Sequence, residues 1–195
     1  MQKLKYTDSD KQKLGNAIVY IASKTTDLSK TKLLKLLFFM EEYSVCRFHT
    51  PFLGLQYEVW QAGPVIKDVF IDLSETPVLL EGFVEKTNKD GNTYIKSAKV
   101  FSDDEFSDND LLVMNEIIAK YGNKTATELV KITHKKGSLW YNTAKRNDLL
   151  NAFEQKQINN SDCVIDFGEE LSGCNREFYN EQLNFLQISR QYGAR

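Results

Sequence analysis

Trp60-Gln61-Ala62-Gly63-Pro64-Val65 reads as a strand that ends on a tryptophan, turns at a glycine and restarts as a helix on a proline. Proline suits the first helical position, because its missing N–H would lack a partner there anyway. The longest apolar run, Leu33 to Met40, lies just upstream and is broken only by Lys35. Leu33, Leu36, Leu37 and Met40 form one stripe at helical spacing, and Leu34, Phe38 and Val45 form a second. Two stripes predict a helix buried on most of its circumference. The remaining face carries Lys32, Lys35, Phe39 and Glu42, a charged stripe with a large aromatic inside it. A wrapped helix beside a short strand predicts a mainly α fold with a minor β element.

The flanking sequence extends this pattern. Ser9 and Gln12 suggest a capping box for a first helix carrying Leu14, Ile18, Ile21 and Ala22, and Ser29 is the N-cap expected for the second. Leu55, Tyr57 and Val59 alternate with polar neighbours, as a half-buried strand does. From Pro64 a helix is expected with Val65, Ile66, Val69, Phe70 and Leu73 inward, ended by Pro77. Residues 78–86 and 93–101 read as a hairpin around Asn88-Lys89-Asp90-Gly91. Ser107 opens a helix that runs to Tyr121 and stops at Gly122. Thr125 and Glu128 cap another helix reaching His134, and a short one spans Ser138 to Lys145. Ser161 is expected to start a helix with Val164, Phe167 and Leu171 on one side, and a last helix spans Arg176 to Arg190. Trp60 is expected to be mostly buried and Trp140 partly so. The fold class is therefore mainly α (α+β), a compact helical domain with a small antiparallel β-hairpin near its middle. Residues 1–173 form that domain, and 174–195 form a C-terminal helix packed on it as an extension.

Composition excludes several function classes. The 195 residues are 42% hydrophobic and 27% charged, which suits an ordinary globular domain. A net charge of −2 gives no global reason to expect nucleic acid or an anionic membrane. No apolar run approaches the roughly 20 residues that span a bilayer. The first 30 residues carry Lys3, Lys5, Asp8, Asp10, Lys11 and Lys13 without the apolar core of a secretory signal. Cys46, Cys163 and Cys174 are too few and scattered for a disulfide framework, so a cytoplasmic location is expected.

Chemistry-bearing residues are sparse. Cys46 and His49 share a helix face, but two ligands do not make a metal site, and His134, Cys163 and Cys174 lack paired spacing. No metal and no cofactor are expected. A Cys/His nucleophile pair lacks any glycine-rich elbow or oxyanion motif. Glu41, Glu42, Glu58, Asp68 and Asp72 cluster near the turn, where helix stabilisation accounts for Asp68 at a helix start. Lys131, Lys135, Lys136, Lys145 and Arg146 gather around His134 and Trp140. That patch reads first as a solvated helix end, then as a dock for an acidic protein, and last as a nucleic-acid contact.

Three blocks carry a resemblance. Lys32 to Phe39 resembles a Lys-Leu-x-Lys-Leu-Leu-aromatic helix, and Tyr57 to Val65 an acidic residue and Trp before Gly-Pro-Val. Leu129 to Trp140 resembles a Thr/Ser-His block followed shortly by a Trp. In this order they are similar to the Panacea domain, the SocA-like, phage-associated antitoxin family, from about Leu14 to about Leu171. The resemblance implies a small helical domain that neutralises a bacterial toxin by protein–protein contact, in some members with proteolytic delivery. It implies no catalytic centre, and marks Lys32, Leu33, Lys35, Trp60, Gly63, Pro64, His134 and Trp140 as motif residues of mainly structural role. Leu53-Gly54-Leu55 departs from the more polar strand entry of the family pattern, and the hairpin around Asn88 to Gly91 and the last helix are longer than in a minimal domain, so partner choice is expected to reside in those two additions.

The leading expectation is a non-enzymatic antitoxin whose partner is a cognate protein toxin. Phe39, Tyr141, Phe178 and Tyr179 are the candidate partner-binding anchors. The alternative is an adaptor that carries a client protein to a protease. A Cys- or metal-dependent hydrolase resting on Cys46, His49, His134 and Cys163 is more remote, and no specific nucleic acid or membrane is expected.

Overall fold

A computed structural model describes residues 6–193; Lys3, Lys5, Ala194 and Arg195 lie outside the described residues. The architecture is mainly α: eight α-helices and two small two-stranded antiparallel sheets among those residues. Helix α2 (Lys30–Phe48) is the axis. It touches α1 (Asp8–Lys24), α3 (Lys67–Ser74), α4 (Asp108–Tyr121) and α5 (Ala126–Thr133). Leu33, Leu36, Leu37 and Met40 are fully buried, as are Leu34, Phe38 and Val45 on the second stripe. The third face departs from expectation. Lys32, Lys35 and Phe39 are also buried, so neighbours enclose the helix on that side too. Enclosure forces the two lysines to find acceptors: Lys32 Nζ donates to Thr26 O at 3.0 Å, and Lys35 Nζ to Pro64 O at 2.9 Å.

Helix ends follow local chemistry with one shift. Ser29, Ser107 and Thr125 cap α2, α4 and α5 as read from sequence, and Ser138, expected as the first residue of the short helix, is the N-cap of α6 (Leu139–Arg146). The first helix is instead capped by Thr7, whose hydroxyl accepts from Asp10 N–H while the Asp10 carboxylate accepts from Thr7 N–H. Thr7-x-x-Asp10 forms the box that Ser9 and Gln12 were expected to form, because a carboxylate serves it as well as an amide.

The Gly63-Pro64 reading is corrected. Pro64 starts no helix. Strand β1 (Glu58–Trp60) pairs with β2 (Gly63–Val65) in the register Glu58 to Val65, Val59 to Pro64 and Trp60 to Gly63, around Gln61-Ala62. Helix α3 begins only at Lys67. Val59 opposite Pro64 is a non-hydrogen-bonded pair of the ladder, so the missing proline N–H costs nothing there. Val59 N–H instead donates outward to Cys163 O at 2.9 Å.

That outward bond overturns the helix expected from Ser161. Residues 159–165 run antiparallel along the free edge of β1, with Gln61 N–H donating to Asn159 O and Ile165 N–H to Tyr57 O. Val164 bridges Glu58, and only a 3₁₀ turn, Phe167–Glu170, follows. The second hairpin is present but shorter than read, β3 (Val84–Lys89) and β4 (Asn92–Ser97) around Asp90-Gly91. Helix α7 (Leu149–Glu154) was not anticipated.

The last helix, α8 (Gly173–Gly193), packs through Tyr179, Leu183, Leu186 and Arg190. Arg190 is its latch. The buried guanidinium pairs with Asp10 at 2.8 Å and donates to Gly54 O and Leu53 O at 2.6 and 2.7 Å. Arginine suits this role because its planar fork reaches several acceptors at once.

Candidate functional site

The motif residues converge on the tip of the β1–β2 hairpin. Three of its carbonyl oxygens each receive a donor from a different helical block. Trp140 Nε1 donates to Trp60 O at 3.0 Å, and His134 Nε2 lies 2.9 Å from Gln61 O. Lys35 Nζ reaches Pro64 O. The His134 and Trp140 rings pack with centroids 3.7 Å apart, and Phe153 stacks beyond Trp140 at 6.0 Å. Gly63, at φ +97°, lies where a Cβ would come within 2.6 Å of Lys35 Cε and 2.9 Å of Thr133 Oγ1. Leu33 belongs to the core beneath this interlock, and Lys32 closes the α1–α2 turn instead of joining it.

The two tryptophans exchange their expected burial. Trp140 is buried, whereas Trp60 is partly exposed, with its Nε1 donating to Glu58 Oε2 at 2.9 Å and its ring against Phe70 at 4.9 Å. Trp140 is enclosed because the hairpin closes over it. Trp60 lies at the hairpin rim.

Charge is suppressed inside the interlock. Burial alone lowers the Lys35 ammonium to about 7. Burial also pushes His134 below its ordinary value, although both ring nitrogens face carbonyl oxygens that favour the charged form. Each donor is spent on the backbone, which makes this constellation a clamp.

The accessible feature nearby is a groove between α2, α4, the turn after α5 and the 3₁₀ turn. Its two parts, about 350 and 250 Å³, share Phe39, Glu42, Tyr121 and Glu170. Phe39 stacks on Tyr121 at 4.5 Å and forms the floor, while Lys135 and Lys136 stand exposed at the rim. Burial, with Glu170 adding repulsion and Lys120 opposing it, raises the Glu42 carboxyl to about 7. Burial and Glu170 also push the Cys46 thiol up to about 12, and its Sγ lies 3.5 Å from Glu170 Oε2. A thiol held protonated beside a carboxylate has the opposite of the electropositive setting that activates cysteine nucleophiles. Among the described residues, no group of three or more His, Cys, Asp or Glu side chains is placed to hold a metal ion.

Glu42 carries a pH prediction. Between about pH 4.5 and 7 the folded chain keeps a proton that the unfolded chain has released, so this group's contribution to stability falls as pH rises through that window. Glu42→Gln should flatten the pH dependence of the urea midpoint there and raise stability at pH 7.5 by on the order of 2 kcal/mol. An unchanged slope would mean that the carboxyl is solvated.

The candidate anchors separate by exposure. Phe39 and Tyr179 are buried, Tyr141 is partly buried, and Phe178 is exposed. Burial removes Tyr179 from the surface and leaves Phe39 reachable only as a groove floor. Sequence reading missed the groove altogether, because Glu170 and Tyr121 reach Phe39 only through the fold. Of the basic patch, Arg146 is engaged by Glu169, while Lys131, Lys135, Lys136 and Lys145 are exposed.

No helix among the described residues is long and apolar enough to cross a membrane. Neither the curated proteins nor the solved structures give a match to the chain. A family model described as antitoxin SocA-like, Panacea domain, does match, over residues 33–141. That span holds α2 from Leu33 onward, both hairpins, α3, α4, α5 and the start of α6 with Trp140, and so nearly the whole interlock and groove. With more than half of its length matched, and with the matched blocks meeting in one interlock, the chain belongs to the SocA-like antitoxin, Panacea-domain family.

Proposed function

We propose that this protein is an antitoxin that neutralises a cognate protein toxin in the cytoplasm by direct binding, without catalysis of its own. The family match over residues 33–141 carries the reading. The geometry supports it: the motif side chains are spent on holding a hairpin, which gives a stiff body suited to docking. The toxin binds across the groove floored by Phe39 and Tyr121, because a property shared within the family belongs on surfaces built from the matched segment. All of the groove's lining except Glu170 lies in that segment. The exposed Lys135 and Lys136 favour an acidic toxin surface at the rim.

Co-expression tests this reading. The wild-type chain should relieve the growth arrest caused by the product of the adjacent gene. Lys135→Glu with Lys136→Glu should weaken binding at least tenfold while leaving the melting temperature unchanged. A product that is harmless alone, or that stays lethal with this protein bound at saturation, would refute the function. Full rescue by the double variant would refute only the assigned face.

A further inference from the structure

Among the exposed large hydrophobic side chains of the described residues, all three aromatics lie on α8: Phe178, Phe185 and Tyr192. Their spacing is seven residues and then seven, and Ile188, also exposed, sits between the last two. Tyr179, Leu183, Leu186 and Arg190 occupy the opposite side of the helix, which is committed to the body. The aromatic stripe is therefore a second apolar face at the 3.5-residue period of a helix–helix seam. It lies outside the matched segment 33–141. We propose that this stripe is a homodimer interface in which α8 of two copies packs antiparallel about a two-fold axis at Phe185.

Three features select a second copy as the occupant. The three aromatics are evenly spaced about Phe185, so a two-fold axis there brings Phe178 of each copy against Tyr192 of the other, and Ile188 against Gln182, in a self-complementary interface. Charge sets the direction. The exposed acids Glu177 and Glu181 lie in the first half of the helix, and the exposed flank of the second half is Asn184, Gln187, Ser189 and Gln191. Parallel packing would stack the glutamates of both copies, while antiparallel packing places them against uncharged residues. Area fits a reversible dimer. At 44%, 70%, 56% and 71% exposure, Phe178, Phe185, Ile188 and Tyr192 offer roughly 450 Å² per copy. The polar flanks extend this toward the roughly 800 Å² per partner of a standard interface, which suits a dissociation constant of about 1–100 μM.

Sedimentation equilibrium of the full chain from 5 to 500 μM should show its mass rising toward the dimer, and Phe185→Glu should remain monomeric with an unchanged circular dichroism spectrum. In a Cys46→Ser, Cys174→Ser background, oxidised Phe185→Cys should cross-link to itself. Phe178→Cys should not, because its two copies lie roughly 20 Å apart along the antiparallel seam. A mixture of Phe178→Cys and Tyr192→Cys should cross-link. A wild-type monomer at 500 μM, a dimer that survives Phe185→Glu, or self-linking of Phe178→Cys would each overturn the proposal. So would a monomeric wild type whose rescue of growth is lost in Phe185→Glu, since the stripe would then be the toxin's.

Discussion

Gly63→Ala should lower the unfolding free energy by about 2–4 kcal/mol. Two costs combine at this position. The backbone is at φ +97°, which an L side chain rarely adopts, and the new Cβ would lie 2.6 Å from Lys35 Cε and 2.9 Å from Thr133 Oγ1. Neither neighbour can retreat cheaply. Lys35 is buried along its length and tied to Pro64 O, and Thr133 is buried with its hydroxyl donating to Val130 O at 2.9 Å. Gly91→Ala supplies the comparison, since its φ is +75° but nothing lies within 4 Å of the added methyl. That variant should lose only the conformational part, about 1 kcal/mol. Urea denaturation of both at pH 7.5 separates the terms. Equal losses would mean that the interlock yields to the methyl and that the clamp is softer than its distances suggest.

Replacing Glu41 by alanine should cost about 3–5 kcal/mol. This buried carboxylate accepts from the N–H groups of Phe52, Leu53 and Gly54 at 2.8 to 3.2 Å, so truncation strands three donors in the interior at once. Burial raises its pKa, and the backbone donors pull it back down. Glu41→Gln should fall between wild type and alanine, since the amide oxygen can still serve part of the loop while its NH₂ cannot. The consequence reaches further than the loop. Leu53 O and Gly54 O are the seats of Arg190, so loosening residues 52–54 should release the end of α8. Hydrogen exchange should show the amides around Arg190 exchanging faster in Glu41→Ala, with α4 and α5 changed less. A uniform increase across all helices would instead report global destabilisation.

Local signals were legible in the sequence wherever a few adjacent residues settle the matter. Ser29, Ser107, Thr125 and Ser138 announce helix starts because a hydroxyl satisfying the first free N–H groups is a contact within one turn. The wrapped character of α2 was likewise readable from its double apolar stripe. The errors fall where partners are distant in the chain. Pro64 looked like a helix start because nothing nearby reveals that Val59 turns its N–H toward Cys163 and leaves the proline free to sit in a strand. Residues 161–171 offered two periods. Val164, Phe167 and Leu171 suit a helix, but the alternating burial of Asp162 to Ile165 follows a strand because β1 has an open edge to be covered.

By itself the sequence determined the family, the mainly α class and the identity of the motif residues, since these rest on order, spacing and local capping. Only the tertiary structure decided what those residues do. It turned Lys35, His134 and Trp140 from markers scattered over a hundred residues into three donors on one hairpin, and it took Phe39 and Tyr179 off the outer surface. The physical reason is burial. A polar group enclosed by elements far apart in the chain must find its partner among them, and no local pattern records which partner that is.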